Sequence, residues 1–166
     1  MKKGILIAAA LALGVFAAGV LAQAPTYVGS AKCKGCHSPE MRGQQYPLWE
    51  KSAHSRSFAT LGTADAASLG VKDPANDPQC LKCHAPLAGD LKAEGVSCVV
   101  CHGPASAYKS MNVMRVKEDA IKAGLASYAN DEAVKAKCLT CHQDAHGKSF
   151  DFAAQWAKIK HAIPGR

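Results

Sequence analysis

The sequence has few aromatic residues, no sustained polar and apolar alternation, and no cysteine outside one repeated motif. Phenylalanine, tryptophan and tyrosine make up 6% of its 166 residues, so side chains alone supply little material for a large core. The missing alternation argues against an extensive sheet and favours helices and loops. Because the repeat contains all eight cysteines, no thiol remains for a disulfide, a nucleophile or a separate metal site.

The repeat is Cys-x-x-Cys-His, and it occurs four times as motifs 1 to 4. Zinc knuckles, dithiol redox pairs and disulfides also use paired cysteines, but none of them requires a histidine directly after every second cysteine. In c-type haem attachment, both thiols add to the haem vinyl groups and the adjacent histidine is the proximal iron ligand. The sequence therefore predicts four c-type haems. The predicted attachment residues are Cys33, Cys36, Cys80, Cys83, Cys98, Cys101, Cys138 and Cys141, and the predicted proximal ligands are His37, His84, His102 and His142.

The N-terminal segment has the organisation of an export signal. Lys2 and Lys3 precede an apolar run over residues 5–22, and polar sequence follows directly. This pattern predicts a signal peptide at 1–22 and a tetrahaem cytochrome c domain at 23–166, with an uncleaved membrane anchor as the alternative. Haem attachment outside the cytoplasm agrees with export, so we expect a periplasmic or secreted protein.

A chain of one domain's length must then surround four haems. We predict a mainly α fold, a small helical tetrahaem cytochrome with a haem-dominated core and little or no sheet. The formal charge of +7 falls when Lys2 and Lys3 are removed and when the haem propionates ionise. The near-neutral product gives no case for nucleic acid binding, and we expect membrane contact only through an uncleaved signal segment.

The supply of sixth iron ligands is short. Outside the motifs the histidines are His54, His146 and His161, so at most three irons have two imidazoles unless a second chain donates one. His54, on a predicted helix, and His161, ending an amphipathic C-terminal helix, are predicted ligands. His146 in a polar loop, and Met111 and Met114 on one helix face, are alternatives for a remaining iron.

Local patterns predict the surrounding elements. Proline at a first helical turn predicts a helix from Pro47, and further helices are expected over 111–123 and 131–142. Ser149 is the predicted N-cap of the C-terminal helix. The short interval between motifs 2 and 3 predicts that their haems lie close together, and four haems in so small a volume imply an electron-conducting series.

The order of these features resembles the tetrahaem cytochrome c-554 family, named for an electron carrier of ammonia oxidation, over nearly all of the predicted mature chain. The matching features are Tyr27-Val28-Gly29-Ser30 before motif 1, Trp49-x-x-Ser52-x-His54, Gly95-Val96-Ser97 before motif 3, Gly103-Pro104 after it, motif 4, and a terminal Phe150-Asp151-Phe152 helix ending in His161.

The resemblance implies a mainly helical fold, haems in close stacked pairs, three six-coordinate irons and a five-coordinate second haem. It also implies that His54 lies opposite His102 on haem 3 and that His161 lies opposite His142 on haem 4. The family's ligand for haem 1 follows Gly103-Pro104, where this chain has no histidine. For that iron the candidates remain Met111, Met114 and His146.

Two function classes follow. The favoured one is a carrier that passes single electrons between redox partners, such as quinol-oxidising or terminal reductase systems. The alternative is a redox enzyme acting on a small nitrogen or sulfur species at a five-coordinate haem. Because no acid, base and anion-binding constellation surrounds His84, we predict no catalytic residues and favour the carrier over the enzyme. A polymerised extracellular cytochrome is a third class, which requires ligands that cross between subunits.

Overall fold

The structure is a computed structural model that describes residues 23–87, 89–143 and 145–161. Over these ranges the chain forms nine α-helices and five short 3-10 helices, with no strand. The α-helices are α1 (Ala31–His37), α2 (Gln45–Lys51), α3 (Ala64–Ala67), α4 (Pro78–His84), α5 (Cys98–His102), α6 (Met111–Met114), α7 (Lys117–Lys122), α8 (Asp131–Cys138) and α9 (Phe152–Ile159). The 3-10 helices are Glu40–Arg42, His54–Arg56, Ala59–Gly62, Gly89–Glu94 and Ala145–Gly147. The predicted mainly α fold is confirmed.

The predicted signal peptide at 1–22 and residues 162–166 of the predicted domain lie outside the described residues, so both boundaries stay predictions. In the part of the chain that the structure describes, no helix combines the length and the apolar character needed to cross a membrane.

Several helix boundaries differ from the sequence-based expectation. The helix expected from Pro47 begins two residues earlier, at Gln45, and the one expected over 111–123 is divided into α6 and α7. Asp151, rather than Ser149, caps α9, because its Oδ1 accepts the Ala154 N–H at 3.0 Å. At the start of α9, a side-chain cap therefore overrides the pattern.

In motifs 1 to 3 the whole Cys-x-x-Cys-His lies within a helix, whereas α8 ends at Cys138, the first cysteine of motif 4. In a helix, residues three and four positions apart are neighbours, so both thiols and the following imidazole of a motif point in similar directions. Asp77 fixes the start of α4 by accepting the Gln79 N–H at 2.7 Å, with Pro78 at the first helical position. Asn130 caps α8 in the same way, through the Ala133 N–H at 3.0 Å.

The protein core is small. The buried hydrophobic residues of the described ranges are Leu61, Ala66, Ala85, Val99, Ala105, Tyr108 and Ala120. Val99 of α5 is fully buried and forms the centre of a cluster with Tyr108 and two of the alanines. Because alanines dominate this set, side chains alone bury little apolar area, as expected where haem provides much of the core.

Tyr108 ties the motif 3 segment to this cluster. Its hydroxyl donates to the carbonyl oxygen of His102 at 2.9 Å and lies 3.1 Å from that of Gly103. Burial raises the pKa of Tyr108 to about 12, so the hydroxyl is neutral and available as a donor.

A carboxylate joins the starts of motifs 1 and 3. Both oxygens of Glu94 accept the backbone N–H of Ser30, at 2.8 and 3.1 Å, and the Ser30 hydroxyl in turn accepts the Cys98 N–H at 3.4 Å. A Cβ atom at Gly29 would lie 2.7 Å from Glu94 Oε1, so the close approach of the carboxylate requires glycine there. These contacts hold α1 against α5.

Candidate haem-binding site

The motif cysteines meet in pairs. A hydrogen bond between the thiols of Cys33 and Cys98 raises the pKa of Cys33 and lowers that of Cys98. Burial and then the nearby Cys141 raise the pKa of Cys83, whose Sγ lies 4.0 Å from the Cys141 carbonyl oxygen. Motif 1 therefore contacts motif 3, and motif 2 contacts motif 4.

Motif 3 also lies close enough to motif 4 for charges on their cysteines to interact. Tyr128 follows motif 3 in sequence, and its hydroxyl donates to the Cys101 carbonyl oxygen at 2.6 Å. Burial raises the pKa of Cys101, and Cys138 and Cys141 of motif 4 raise it further, against the lowering effect of Lys137. The motifs therefore follow one another in space as 1, 3, 4 and 2.

Ser57 connects motif 2 with the start of motif 3. Its Oγ donates to the His84 carbonyl oxygen at 2.7 Å and accepts the Val96 N–H at 3.0 Å. Ser57 therefore links the end of motif 2 to Val96, two residues before motif 3, and the sequence pattern did not single it out. The closeness of haems 2 and 3 stays a prediction.

Each histidine outside the motifs lies opposite a motif histidine. The ring centres of His54 and His142 are 6.1 Å apart. Those of His84 and His146 are 6.2 Å apart, and those of His102 and His161 are 5.9 Å apart. The similar separations indicate a shared geometric cause.

An iron between the two rings accounts for this separation. An imidazole nitrogen bonds a first-row metal such as zinc at about 2.0–2.1 Å and its ring centre lies about 1 Å beyond, so imidazoles on opposite sides of one ion have centres about 6 Å apart. All three pairs therefore fit axial ligation of a haem iron. In the described ranges no group of three or more His, Cys, Asp or Glu could hold a bare metal ion, the arrangement that a zinc knuckle needs.

The pairing differs from the one that the family resemblance implies. His54 lies opposite His142 of motif 4, not opposite His102, and His161 lies opposite His102 of motif 3, not opposite His142. The ring pairs therefore differ from the ligand pairs that the resemblance implies.

The expected open second haem stays a prediction, but the structure places a further imidazole beside the motif 2 histidine. His146, which the sequence left as an alternative for haem 1, lies opposite His84 of motif 2. The loop Ala145–Gly147 achieves this by holding His146 in the left-handed region, with φ 61° and ψ 28°. Such a conformation is uncommon for a residue other than glycine, and strained backbone of this kind concentrates at functional sites.

Hydrogen bonds at Nδ1 orient three of the imidazoles. His84 Nδ1 lies 2.9 Å from the Ser57 carbonyl oxygen, and His161 Nδ1 lies 3.1 Å from that of Ile159. His37 Nδ1 lies 3.3 Å from Oε1 of Gln45. Because these oxygens only accept, Nδ1 carries the proton and Nε2 is left for a metal, as is common for metal-binding histidines.

Burial keeps several imidazoles neutral, the form that binds iron. It lowers the pKa of His54, with His142 as a second cause, and it lowers the pKa of His142 itself. Burial, His161 and His37 lower the pKa of His102 to about 4.

An apolar cleft separates motifs 1 and 3 from the C-terminal helix. Its volume is about 390 Å³, and its lining includes His37, Val99, His102, Met114 and Trp156. Ser97 Oγ and Trp156 Nε1 also border it, and within the described chain these buried atoms have no hydrogen-bond partner. A planar apolar group with carboxylates would fill the cleft and supply acceptors, so the lining fits haem.

Of the two methionines of α6, Met114 lines this cleft and Met111 does not. Met111 is 47% exposed, and its Sδ accepts a hydrogen bond from Arg115 Nη2 at 3.3 Å. Met114 is half-buried, packs against the Val99 cluster and lines the cleft together with His37.

His54 owes its position to the chain just before motif 3. The indole Nε1 of Trp49 donates to the Val96 carbonyl oxygen at 2.9 Å, and the Val96 N–H donates to the His54 carbonyl oxygen at 3.0 Å. Gly95 has φ 62°, and a Cβ atom there would lie 2.6 Å from the His54 carbonyl oxygen. Sequence reasoning found Trp49 and Gly95 only as matching residues, and it missed Ser57 and Gln45, whose contacts leave no local pattern.

Comparison with known proteins agrees with this site. Residues 32–103 match the model of a family described as cytochrome c554 and c-prime. The matched segment contains motifs 1 to 3 and His54, whereas motif 4, His146 and His161 lie beyond it. Neither a curated protein nor a solved structure matches the chain.

Proposed function

We propose that the chain is a tetrahaem electron carrier of the c554 type. The match of residues 32–103 to the cytochrome c554 family supports c-type haem and a role in electron transfer. In this proposal the four motifs hold four haems, and single electrons pass through them between redox partners. When bound, each haem supplies an iron that alternates between ferric and ferrous states and so carries one electron.

The observation that carries the proposal is the set of three imidazole pairs with ring centres 5.9 to 6.2 Å apart. In each pair one residue follows a Cys-x-x-Cys and the other comes from a distant segment. Two neutral imidazoles held from opposite sides change little when one electron is gained or lost. Such fixed ligation suits electron transfer, which is fastest when few atoms must move.

The contacts among the motifs support a relay. Thiols of motifs 1 and 3 hydrogen-bond, motif 3 lies beside motif 4, and Cys83 of motif 2 lies beside Cys141. Groups attached at such adjacent cysteines are close neighbours, so the order 1, 3, 4, 2 supports a continuous series of haems.

The alternative is an enzyme that acts on a small nitrogen or sulfur species at an open iron. Motif 2 was its expected site. The imidazole of His146 opposite His84 favours a six-coordinate iron there instead, which supports the carrier.

Export completes the proposal. Residues 1–22 have the pattern of a signal peptide, and covalent haem attachment takes place outside the cytoplasm, so we infer a periplasmic or secreted protein. Its partners are then other redox proteins, such as quinol-oxidising or terminal reductase systems.

Intact mass and turnover test the proposal together. Because thioether bonds survive denaturation, the exported protein should carry four haems, about 2.5 kDa above the mature polypeptide. A Cys80→Ala/Cys83→Ala double variant should lose one haem. The wild-type protein should exchange electrons with small redox mediators without consuming nitric oxide, nitrite or hydroxylamine. A mature form with fewer haems contradicts the tetrahaem proposal, and sustained turnover contradicts the carrier.

A further inference from the structure

Motif 1 differs from the other three motifs because none of the ring pairs with a histidine from outside the motifs includes its histidine, His37. The three histidines outside the motifs lie opposite His142, His84 and His102. A ligand on one iron is not available to another at the same time. The sixth ligand of the iron bound by His37 is therefore a residue of this chain other than histidine, or that iron has no sixth ligand from this chain.

The described residues contain three other soft donors, and their surroundings separate them. Met41 is 80% exposed and Met111 is 47% exposed, with the Met111 sulfur turned toward the Arg115 guanidinium. Met114 alone among these three lines the cleft that also contains Cys33 and His37. A neutral thioether is a known axial ligand of c-type haem iron.

The backbone fixes Met114 on the cleft side of α6. Its N–H donates to the Ser110 carbonyl oxygen at 2.9 Å, and α6 ends at Met114 before the chain turns into α7. Val113, Met114 and Leu125 pack against the cluster around Val99 and Tyr108. The packing explains why Met114 faces inward although Met111 lies only three residues earlier.

We infer that Met114 is the sixth ligand of the motif 1 iron, opposite His37, so that the protein has one His/Met haem and three bis-His haems. The inference rests on the proposed tetrahaem function. It gives every iron two axial ligands from this chain.

The partner of His37 agrees with this assignment. Gln45 Oε1 accepts from His37 Nδ1, and the Gln45 Nε2 group donates to the Arg42 carbonyl oxygen, which fixes the orientation of the amide. A neutral amide polarises the imidazole N–H less than a carboxylate would, so the His37 ring is a weaker donor to iron than an imidazole that faces a carboxylate. Such an imidazole with a thioether opposite favours ferrous iron, and the motif 1 haem should have the highest midpoint potential of the four.

The test compares Met114→Leu with Met111→Leu in the holoprotein after mass spectrometry has confirmed four haems in each. Leucine preserves side-chain volume, so folding is retained. The wild type should show the near-infrared charge-transfer band of methionine-bound ferric haem, no high-spin iron in electron paramagnetic resonance, and no carbon monoxide uptake when reduced. Met114→Leu should lose the band, gain one high-spin iron and bind about one carbon monoxide per protein. Met111→Leu should behave as the wild type.

A second variant separates ligation from structural damage. Met114→His should restore a low-spin iron without the methionine band, and the potential of that haem should fall, since imidazole favours ferric iron more than a thioether does. Absence of the band in a wild type with four haems overturns the ligand assignment and leaves the tetrahaem proposal intact. Loss of the methionine band in Met111→Leu also overturns the assignment of Met114. Fewer than four haems in the wild type instead contradicts the proposed function.

Discussion

His54 and His146 face neighbouring sites, at motifs 4 and 2, yet the chain holds them in opposite ways. The carbonyl oxygen of His54 accepts the Val96 N–H at 3.0 Å and lies 2.8 Å from the Ser57 hydroxyl. His146 is exposed, has left-handed backbone, and lies in the three-residue turn Ala145–Gly147, with its ring near that of His84. The first ligand is fixed by contacts between distant segments, whereas the second depends on one strained turn.

This difference teaches that equal ring spacing does not imply equal ligand stability. A residue held by several interior hydrogen bonds leaves an iron only with a larger rearrangement. A residue on an exposed turn leaves with little loss of packing, because loops open locally at low free energy. Motif 2 should therefore be the site most easily opened by mutation, and motif 4 the most protected.

The largest loss of stability is expected from a substitution at Gly95, which lies against the backbone of His54. In Gly95→Ala the new Cβ would lie 2.5 Å from Ser57 Oγ and 2.6 Å from the His54 carbonyl oxygen, at a positive φ. We expect the free energy of unfolding to fall by about 3–5 kcal/mol, with one low-spin haem becoming high-spin. Chemical denaturation and electron paramagnetic resonance measure the two effects.

Gly70→Ala is the matched control for backbone strain alone. Gly70 has φ 72°, and no heavy atom of the described chain lies within 4 Å of an added Cβ. The Gly70→Ala substitution should lower the free energy of unfolding by only about 1–2 kcal/mol and leave the haem spectra unchanged. Equal losses in the two variants would mean that close contact at Gly95 does not support His54.

An intermediate effect is expected at Ser57, which touches both regions. Its hydroxyl lies within hydrogen-bond distance of the carbonyl oxygens of His54 and His84, to either of which it can donate, and it accepts the Val96 N–H. Ser57→Ala leaves that N–H without its side-chain acceptor, so we expect a loss of about 1–3 kcal/mol in denaturant unfolding. Ser68→Ala, on an exposed hydroxyl bonded to the nearby Asp65 carbonyl oxygen, should change stability by less than about 0.5 kcal/mol. If Ser57→Ala is as stable as Ser68→Ala, the hydrogen bonds of Ser57 do not contribute to the stability of the fold.

The smallest change in stability is expected for His146→Ala, although its spectroscopic effect is clear. The side chain is exposed, so the free energy of unfolding should change by less than about 1 kcal/mol. One low-spin iron should become high-spin and the reduced protein should bind carbon monoxide. The control Lys148→Ala changes an exposed residue two positions later and should leave all irons low-spin, with no carbon monoxide binding. A low-spin motif 2 iron in His146→Ala would refute ligation by His146.

The sequence was most informative where the chemistry is local. The helical positions of the motif cysteines and histidines, the mainly α fold and the small protein core all follow from short spacings and composition. Helix ends were less predictable, because Asp151 provides a better cap than Ser149 and the turn after Met114 divides a predicted helix. Residues such as Gln45 and Ser57 leave no periodic signal, since their roles exist only after distant segments meet.

By itself the sequence predicted which residues attach haem, because each predicted attachment site is complete within five consecutive residues. It also determined that the chain has too few histidines to give two imidazoles to each of four predicted haems. Only the tertiary structure decided how the spare histidines are shared, with His54 at motif 4, His161 at motif 3 and His146 at motif 2. The physical reason is that a sixth ligand comes from a segment remote in sequence, whose position depends on packing and hydrogen bonds that no local spacing encodes.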